Sequence, residues 1–401
     1  MRTVDLTKPD HYKHAVYPSP FYSRQKEHNQ LKEWSRWSDY LSVPAYWCES
    51  MEYFAGRNAC GVFDITPMVK HMVTGPDALP YLNRLMTRDV RKIKPGRVGY
   101  SVWCNGNGQV IDDGTIFHLR EGVYRICSQE HQIDWFMTNA VGFEVSIVED
   151  THDVAGLALQ GPTACAVLKD MGLQGIENLT PFGLRYFDFE GIELMVSRTG
   201  FTGDLGYELW VRPDHAEMLW DRLFEAGKLR GIKAMGSDAL ELLRIEAGFI
   251  LAGADFLPAM EAVRPSHTRS PFELNLGWLV SFDKGVFNGR QALLAEKENG
   301  SRYHLVKLDI DGNKPATDSF VYTKNKKYAG TVTSAMWSPS AKASIALASL
   351  EAPHGKSGEE FEVEVYYQRE LKWNRVMAPC RVVKDVFWDP PRKRQTPPAD
   401  F

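Results

Sequence analysis

Two periodicities divide this chain. Alternation of apolar and polar residues predicts strands, and apolar residues recurring every three or four positions predict helices. Strands are predicted at 71–74, 100–104, 110–117, 154–160 and 192–197. Another follows Gly206, with Tyr207, Leu209 and Val211 on one face and Glu208 and Trp210 on the other. A helix is predicted after Thr74-Gly-Pro-Asp-Ala-Leu, capped by Thr74 or Gly75, with Pro76 and Asp77 in its first turn and Leu79, Leu82, Leu85 and Met86 on its apolar face. A second runs over 163–171. A third is capped by Asp214 with Glu217 completing a capping box, and turns Leu219, Trp220, Leu223 and Phe224 inward. A fourth is capped by Ser237 and runs through Leu240, Leu243 and Ala247, and a fifth covers 289–297. Near residue 270 the texture changes. Ser270-Pro-Phe-Glu opens a linker, 276–282 reads as a strand, and 303–385 carries short strands with turn signals roughly every eight to twelve residues, the pattern of a small barrel or sandwich.

Composition narrows the class. The chain has 401 residues, enough for two or three domains, and at 44% hydrophobic and 24% charged it is of ordinary globular type. A net charge of −4 and a pI near 6.3 leave no basic footprint for nucleic acid. No apolar run is long enough for a membrane span, and the opening Met-Arg-Thr-Val-Asp-Leu lacks a leader's apolar segment, so a cytoplasmic location is expected. The six cysteines are scattered without a Cys-x-x-Cys, and the eleven histidines lack His-x-x-x-His spacing. Reduced thiols and no metal centre are expected. The basic tail from Asp389 reads as an extended surface segment.

Three stretches carry candidate chemistry. In residues 198–211, Gly200, Gly203 and Gly206 allow positive φ and close backbone approach, and the turn delivers Glu208 beside Phe201 and Tyr207. A carboxylate there suits a flat heterocycle with adjacent N–H donors; an ordinary hairpin with an exposed glutamate has the same spacing. In the hairpin turning at Asn105-Gly-Asn-Gly, Asp112 and Asp113 must face opposite ways. Asp113 shares its face with Ile111, Thr115 and Phe117, which is either the lining of a polar site or the solvent side. Trp34, Trp37, Tyr40, Tyr46, Trp47, Tyr53 and Phe54 crowd the N-terminal segment, as core or as a cage for a methylated cation.

The ordered motifs resemble the folate-dependent aminomethyltransferase family, typified by the glycine-cleavage T-protein and including tetrahydrofolate-dependent demethylases. The matching pieces are Gly61-Val-Phe-Asp, Thr74-Gly-Pro-Asp-Ala, Val110-Ile-Asp-Asp, Leu159-Gln-Gly-Pro, Ser197-Arg-Thr-Gly-Phe-Thr-Gly, Gly206-Tyr-Glu-Leu, Arg244-Ile-Glu-Ala-Gly, Ser270-Pro-Phe-Glu, Leu276-Gly-Trp and Gly330-Thr-Val-Thr-Ser, spread over about residues 60–350. The resemblance implies an α+β fold: a three-domain cloverleaf around a central folate channel, with a C-terminal small β-barrel. The implied domains are 1–65 with 155–270, 66–154, and 271–401. It implies tetrahydrofolate as cofactor, Asp113 as the catalytic residue, and Glu208 as the pterin-binding glutamate. Tyr100, Phe201 and Trp278 are the implied aromatic neighbours, and Ser128 stands where an asparagine is usual. The donor side departs from the T-protein pattern: Ile65-Thr-Pro-Met replaces Val-Ser-His-Met, and Ser237 replaces an arginine. A demethylase acting on a small methylated metabolite is therefore expected, with no nucleic-acid or membrane partner. The alternatives are a T-protein served by a lipoyl carrier protein and a folate-binding module without turnover.

Overall fold

The computed structural model describes residues 16–398. The opening residues read for a leader lie outside that range. The described chain begins with helix α1 (Tyr22–His28), a small hairpin of β1 (Ser35–Trp37) and β2 (Tyr40–Ser42), helix α2 (Glu49–Asn58) and strand β3 (Cys60–Asp64). There follow β4 (Val69–Thr74), α3 (Ala78–Leu85), β5 (Arg97–Cys104), β6 (Val110–Arg120), β7 (Val123–Ser128), α4 (Ile133–Asn139) and β8 (Ser146–Glu149), whose strands form a five-stranded sheet in the order β5-β6-β7-β4-β8. The chain then returns through β9 (Ala155–Gln160), α5 (Ala164–Asp170), β10 (Leu184–Phe189), β11 (Ile192–Ser197), β12 (Gly206–Val211), α6 (Ala216–Gly227), β13 (Ile232–Ala234) and α7 (Ser237–Glu246). These strands join β3 in a six-stranded sheet ordered β10-β11-β12-β9-β3-β13. After α8 (Arg290–Asn299), strands β14 (Tyr303–Ile310), β15 (Phe320–Tyr322), β16 (Tyr328–Ser338), β17 (Ala343–Glu351), β18 (Glu360–Arg369) and β19 (Lys372–Val383) close a barrel.

The helix faces read from the sequence are buried: Leu82, Leu85 and Met86 of the α3 region, and Leu219, Trp220 and Leu223 of α6, are at most 1% exposed. Burying such side chains stabilises by about 1.5–3 kcal/mol each, which is why the faces dominate over the caps. The caps themselves differ from expectation. Asp77, not Thr74 or Gly75, precedes α3, and its carboxylate accepts the Glu144 backbone N–H at 2.8 Å. A 3₁₀ turn, Pro213–His215, comes before α6, and Glu217 accepts from the Ser23 hydroxyl instead of completing a capping box. Gly236 is the N-cap of α7, where its N–H donates to Glu52 Oε2 at 2.8 Å and a side chain would collide with the Pro44 backbone.

Residues 276–282 form no strand. They turn through 3₁₀ segments at Gly277–Leu279 and Phe282–Lys284, because Leu274, Leu276 and Leu279 pack into one apolar cluster with Val102, Ile250 and Leu305. Two buried ion pairs join the bodies. Arg244 of α7 pairs with Asp255, and both bond Ser334 of the barrel. Arg57 of α2 pairs at 2.7 Å with Glu246 of α7, and the link to the barrel is the bond that the Ser338 hydroxyl donates to the same glutamate. The basic tail is not simply solvated: Arg392 forms a two-pronged pair with buried Asp204, each bond 2.7 Å, and Trp388 Nε1 donates to the same carboxylate at 2.9 Å. The tail is thereby strapped onto the glycine-rich loop.

Candidate functional site

A cavity of about 490 Å³ lies where the two sheets and the barrel meet, and Tyr100, Asp113, Ser128, Phe201, Glu208 and Trp278 all line it. Strand pairing explains its floor. Ser197 faces Glu208 across β11 and β12, Glu208 faces Ala158 across β12 and β9, and Ala158 faces Phe63 across β9 and β3. Directly paired residues project from the same face of a sheet. Glu208 and Phe63 therefore stand up on either side of a short Ala158, two strand spacings or about 10 Å apart. The arrangement leaves a flat recess with a carboxylate at one edge and an aromatic ring at the other.

Glu208 is under-provided with donors. Its Oε2 accepts from Ser197 Oγ at 3.4 Å, and that hydroxyl is itself 2.7 Å from Thr199 Oγ1. Burial pushes the Glu208 carboxyl up to about 7, against the opposing pull of the Thr199 and Ser197 hydroxyls. A ligand presenting N–H donors would supply what this carboxylate lacks.

The glycines of the loop have different tasks from those expected. Gly203 alone of the three has a left-handed backbone, φ 72°. A side chain at Gly200 or Gly206 would collide with the amide of Gln160. Gln160 fills that space to donate to the Thr199 carbonyl at 3.2 Å and to accept from Thr202 Oγ1 at 3.0 Å. Two of the glycines thus make room for a buried amide that braces the loop from below.

On the facing sheet, Asp113 looks into the cavity and Asp112 away from it, as alternation requires. Tyr100 donates its hydroxyl to Asp113 Oδ2 at 2.7 Å. Burial raises the Asp113 carboxyl above the ordinary carboxylate range, and the Tyr100 bond works against that rise. Asp112, wholly buried, accepts from the Asp113 backbone N–H at 2.8 Å and from Gln132 at 3.3 Å. Burial raises its carboxyl well above the ordinary range, and the neighbouring Asp113 charge adds to the rise. The expected face is corrected at one position. Cys104 pairs with Val110 and Trp103 with Asp112, so Ile111 is the extra residue of a bulge. It turns into the core with Ile116 and Ile126, while Phe117 packs with Cys127 and Ala158.

The remaining expected residues are peripheral to these acids. Phe201 stacks on Phe249 with centroids 5.7 Å apart. Trp278, on a 3₁₀ turn and 67% exposed, lies 6.5 Å from Tyr100 at the rim. Ser128 is buried, and its hydroxyl donates to the Glu130 carbonyl at 3.0 Å, which leaves it a wall more than a donor. Of the seven N-terminal aromatics, Tyr40, Tyr46 and Tyr53 are core and Trp47 and Phe54 lie at the surface. Among the described residues Trp37 is the one of the seven that lines the cavity, so these rings form no cage. Sequence reasoning missed Phe63, Gln160 and Phe182. The first two lie inside quoted motifs, where strand pairing was the missing signal. Phe182 has no such marker and lines the cavity with φ 58°.

Comparison with known proteins places this geometry. Residues 23–284 match the GCVT N-terminal domain, and residues 304–389 match the glycine cleavage T-protein C-terminal barrel domain. An aminomethyltransferase of Caldanaerobacter subterraneus subsp. tengcongensis is 34% identical over 320 residues, covering 78% of this chain and 82% of that protein. A trimethylamine-oxide aldolase of Ruegeria pomeroyi is 34% identical over 356 residues, 86% of this chain but 43% of that longer protein. The crystal structure of glycine cleavage system aminomethyltransferase T from Bartonella henselae aligns with a TM-score of 0.81 at 25% identity, covering 94% of this chain and 99% of that one. The chain belongs to the glycine-cleavage T-protein family of tetrahydrofolate-dependent aminomethyltransferases.

Proposed function

We propose that this protein transfers a one-carbon unit from a small methylated metabolite to tetrahydrofolate, acting as a demethylase. The observation that carries the proposal is the pairing of two cavity acids, Glu208 and Asp113, across a recess walled by aromatic rings, with Lys307 the one lysine or arginine among the lining residues. Such a lining favours a donor bearing positive charge, a sulfonium, iminium or quaternary ammonium, over an anionic one.

Tetrahydrofolate fits the residues present. Glu208 has only a long bond from the Ser197 hydroxyl, and the ring's amino and N–H groups would supply further donors as a charge-assisted fork. The recess over Ala158 accepts a flat bicycle, with Phe201 and Phe249 along the loop. When bound, tetrahydrofolate would supply a weakly basic, nucleophilic N5 that takes the carbon as the donor's bond from that carbon to sulfur, nitrogen or oxygen breaks, the bonding pair leaving with the demethylated donor and the N5 proton passing to solvent. Glu208 holds and orients the heterocycle. Asp113 stabilises the positive charge of the donor, and Tyr100 holds the Asp113 carboxylate in place and in its ionised form. The lining of the cavity keeps the reactants aligned. On the same reading the domains are 1–65 with 155–270, 66–154, and 271–401.

A second reading, aminomethyl transfer from a lipoyl carrier protein, is favoured by the 34% identity to a protein named aminomethyltransferase. Assaying purified protein with tetrahydrofolate and either a panel of methylated donors or an aminomethylated lipoyl carrier separates the two. Product from the small donors supports demethylation, and product from the carrier alone supports the second reading.

A further inference from the structure

Trp37 reaches the cavity from the N-terminal hairpin, outside the quoted family motifs. It ends β1, and its ring stacks on Phe63 with centroids 5.8 Å apart and planes 30° from parallel. Phe63 is the aromatic edge of the recess whose other edge is Glu208, so Trp37 extends that edge upward from the sheet.

The hairpin carrying Trp37 is held by the neighbouring sheet. Asp39, in its turn, lies 3.2 Å from His131 Nε2, and His131 Nδ1 lies 3.2 Å from Glu149 at the end of β8. Ser38 Oγ is 3.3 Å from the same histidine, and the Tyr40 hydroxyl is 2.5 Å from His152 Nδ1. A two-stranded hairpin is marginal alone. These side-chain bonds tie it to the five-stranded sheet and to the turn that follows β8, and so fix the ring of Trp37.

Resting on the tetrahydrofolate reading, we propose that Trp37 is a binding residue for the heterocycle, the wall that faces Glu208 and confines the ring between them. The N-terminal segment then contributes to the acceptor end of the site, not to a cage for the donor. Indole against the edge of the heteroaromatic ring remote from Glu208 provides apolar area and an edge-to-face contact.

The test uses full-length protein, wild type and the variants Trp37→Ala and Trp37→Phe, titrated calorimetrically with tetrahydrofolate, with a reduced pterin lacking the tail, and with p-aminobenzoylglutamate. Thermal melting is followed in parallel. Trp37→Ala is expected to weaken tetrahydrofolate and the reduced pterin by about tenfold each and to leave p-aminobenzoylglutamate unchanged, with Trp37→Phe recovering most of the loss. Unchanged tetrahydrofolate affinity in Trp37→Ala, or equal weakening of both fragments, would overturn the assignment. Failure of the wild type to bind tetrahydrofolate would instead overturn the reading on which the assignment rests.

Discussion

The hydroxyl of Tyr100 donates to the carboxylate of Asp113 at 2.7 Å, although the two are not cross-strand partners: Tyr100 faces Thr115, and Asp113 faces Val102. The bond is diagonal, reaching along the hairpin on the cavity side. It opposes the desolvation that otherwise raises Asp113. If ionised Asp113 is needed for turnover, activity rises with pH through its titration. Tyr100→Phe removes a bond that favours the charged form, so Asp113 titrates higher and the acidic limb of the kcat profile moves to higher pH. A limb that stays in place would show that the bond does not tune Asp113.

Asp113→Asn keeps the shape of the side chain and removes its charge. Folding and tetrahydrofolate affinity should be nearly unchanged, while kcat falls by two or more orders of magnitude, on the order of 3 kcal/mol. Steady-state kinetics with calorimetry separates the two quantities. Unaltered turnover would remove Asp113 from the mechanism.

Glu208 predicts a linkage between binding and protons. Without ligand its carboxyl titrates near 7, above its ordinary value, so it is part-protonated at neutral pH. N–H donors from the ligand favour the carboxylate and lower that value. Tetrahydrofolate binding should therefore release a proton, and affinity should rise with pH up to about 7 and then level. Calorimetry in buffers of different ionisation enthalpy measures the release, and Glu208→Gln should abolish it.

The same shift has a consequence for the unliganded protein. Folded-state Glu208 titrates above its unfolded value of 4.5, so burying it ionised opposes folding once the pH exceeds that value. The melting temperature should fall as pH rises from about 4.5 through 7, and Glu208→Gln should flatten that part of the curve.

The strap across the glycine-rich loop predicts a local effect. Asp204 is buried, and Asp204→Asn removes its charge and replaces one of the two oxygens to which Arg392, Trp388 and the Leu205 N–H donate by an NH2 group. The Arg392 side chain is 37% exposed, so breaking the pair costs less than the roughly 3 kcal/mol of a fully buried one. Asp204→Asn should lower the melting temperature and raise amide exchange over residues 198–206. Exchange unchanged in that loop would mean the tail does not hold it.

The strands and turns that carry the cavity acids were legible in the sequence because their signals are local, while the roles of Glu208 and Asp113 came from the family resemblance, spacing alone leaving each open between a site and a solvent face. The glycine spacing around Glu208, the Asp112/Asp113 alternation and the Asn105-Gly-Asn-Gly turn each follow from short-range geometry. What escaped depends on pairing between distant strands. The recess over Ala158 exists because β3, β9 and β12 lie side by side, and the bulge that diverts Ile111 is set by its partner strand β5. The role of Gly200 and Gly206 was misread for the same reason, since the side chain they admit, Gln160, is remote in sequence. The failed strand at 276–282 shows tertiary packing of Leu276 and Leu279 overriding an apolar run.

The most direct measurement is product formation. Purified protein is incubated with tetrahydrofolate and each of a set of sulfonium, quaternary ammonium, N-methyl and methyl ether donors, or with an aminomethylated lipoyl carrier; 5-methyl-tetrahydrofolate from the methyl donors and 5,10-methylene-tetrahydrofolate from the carrier are quantified by mass spectrometry beside Asp113→Asn. The predicted result is product from at least one small donor without a lipoyl carrier, lost in Asp113→Asn. Product only from an aminomethylated lipoyl carrier, or none from any donor by a protein that binds tetrahydrofolate, would contradict it.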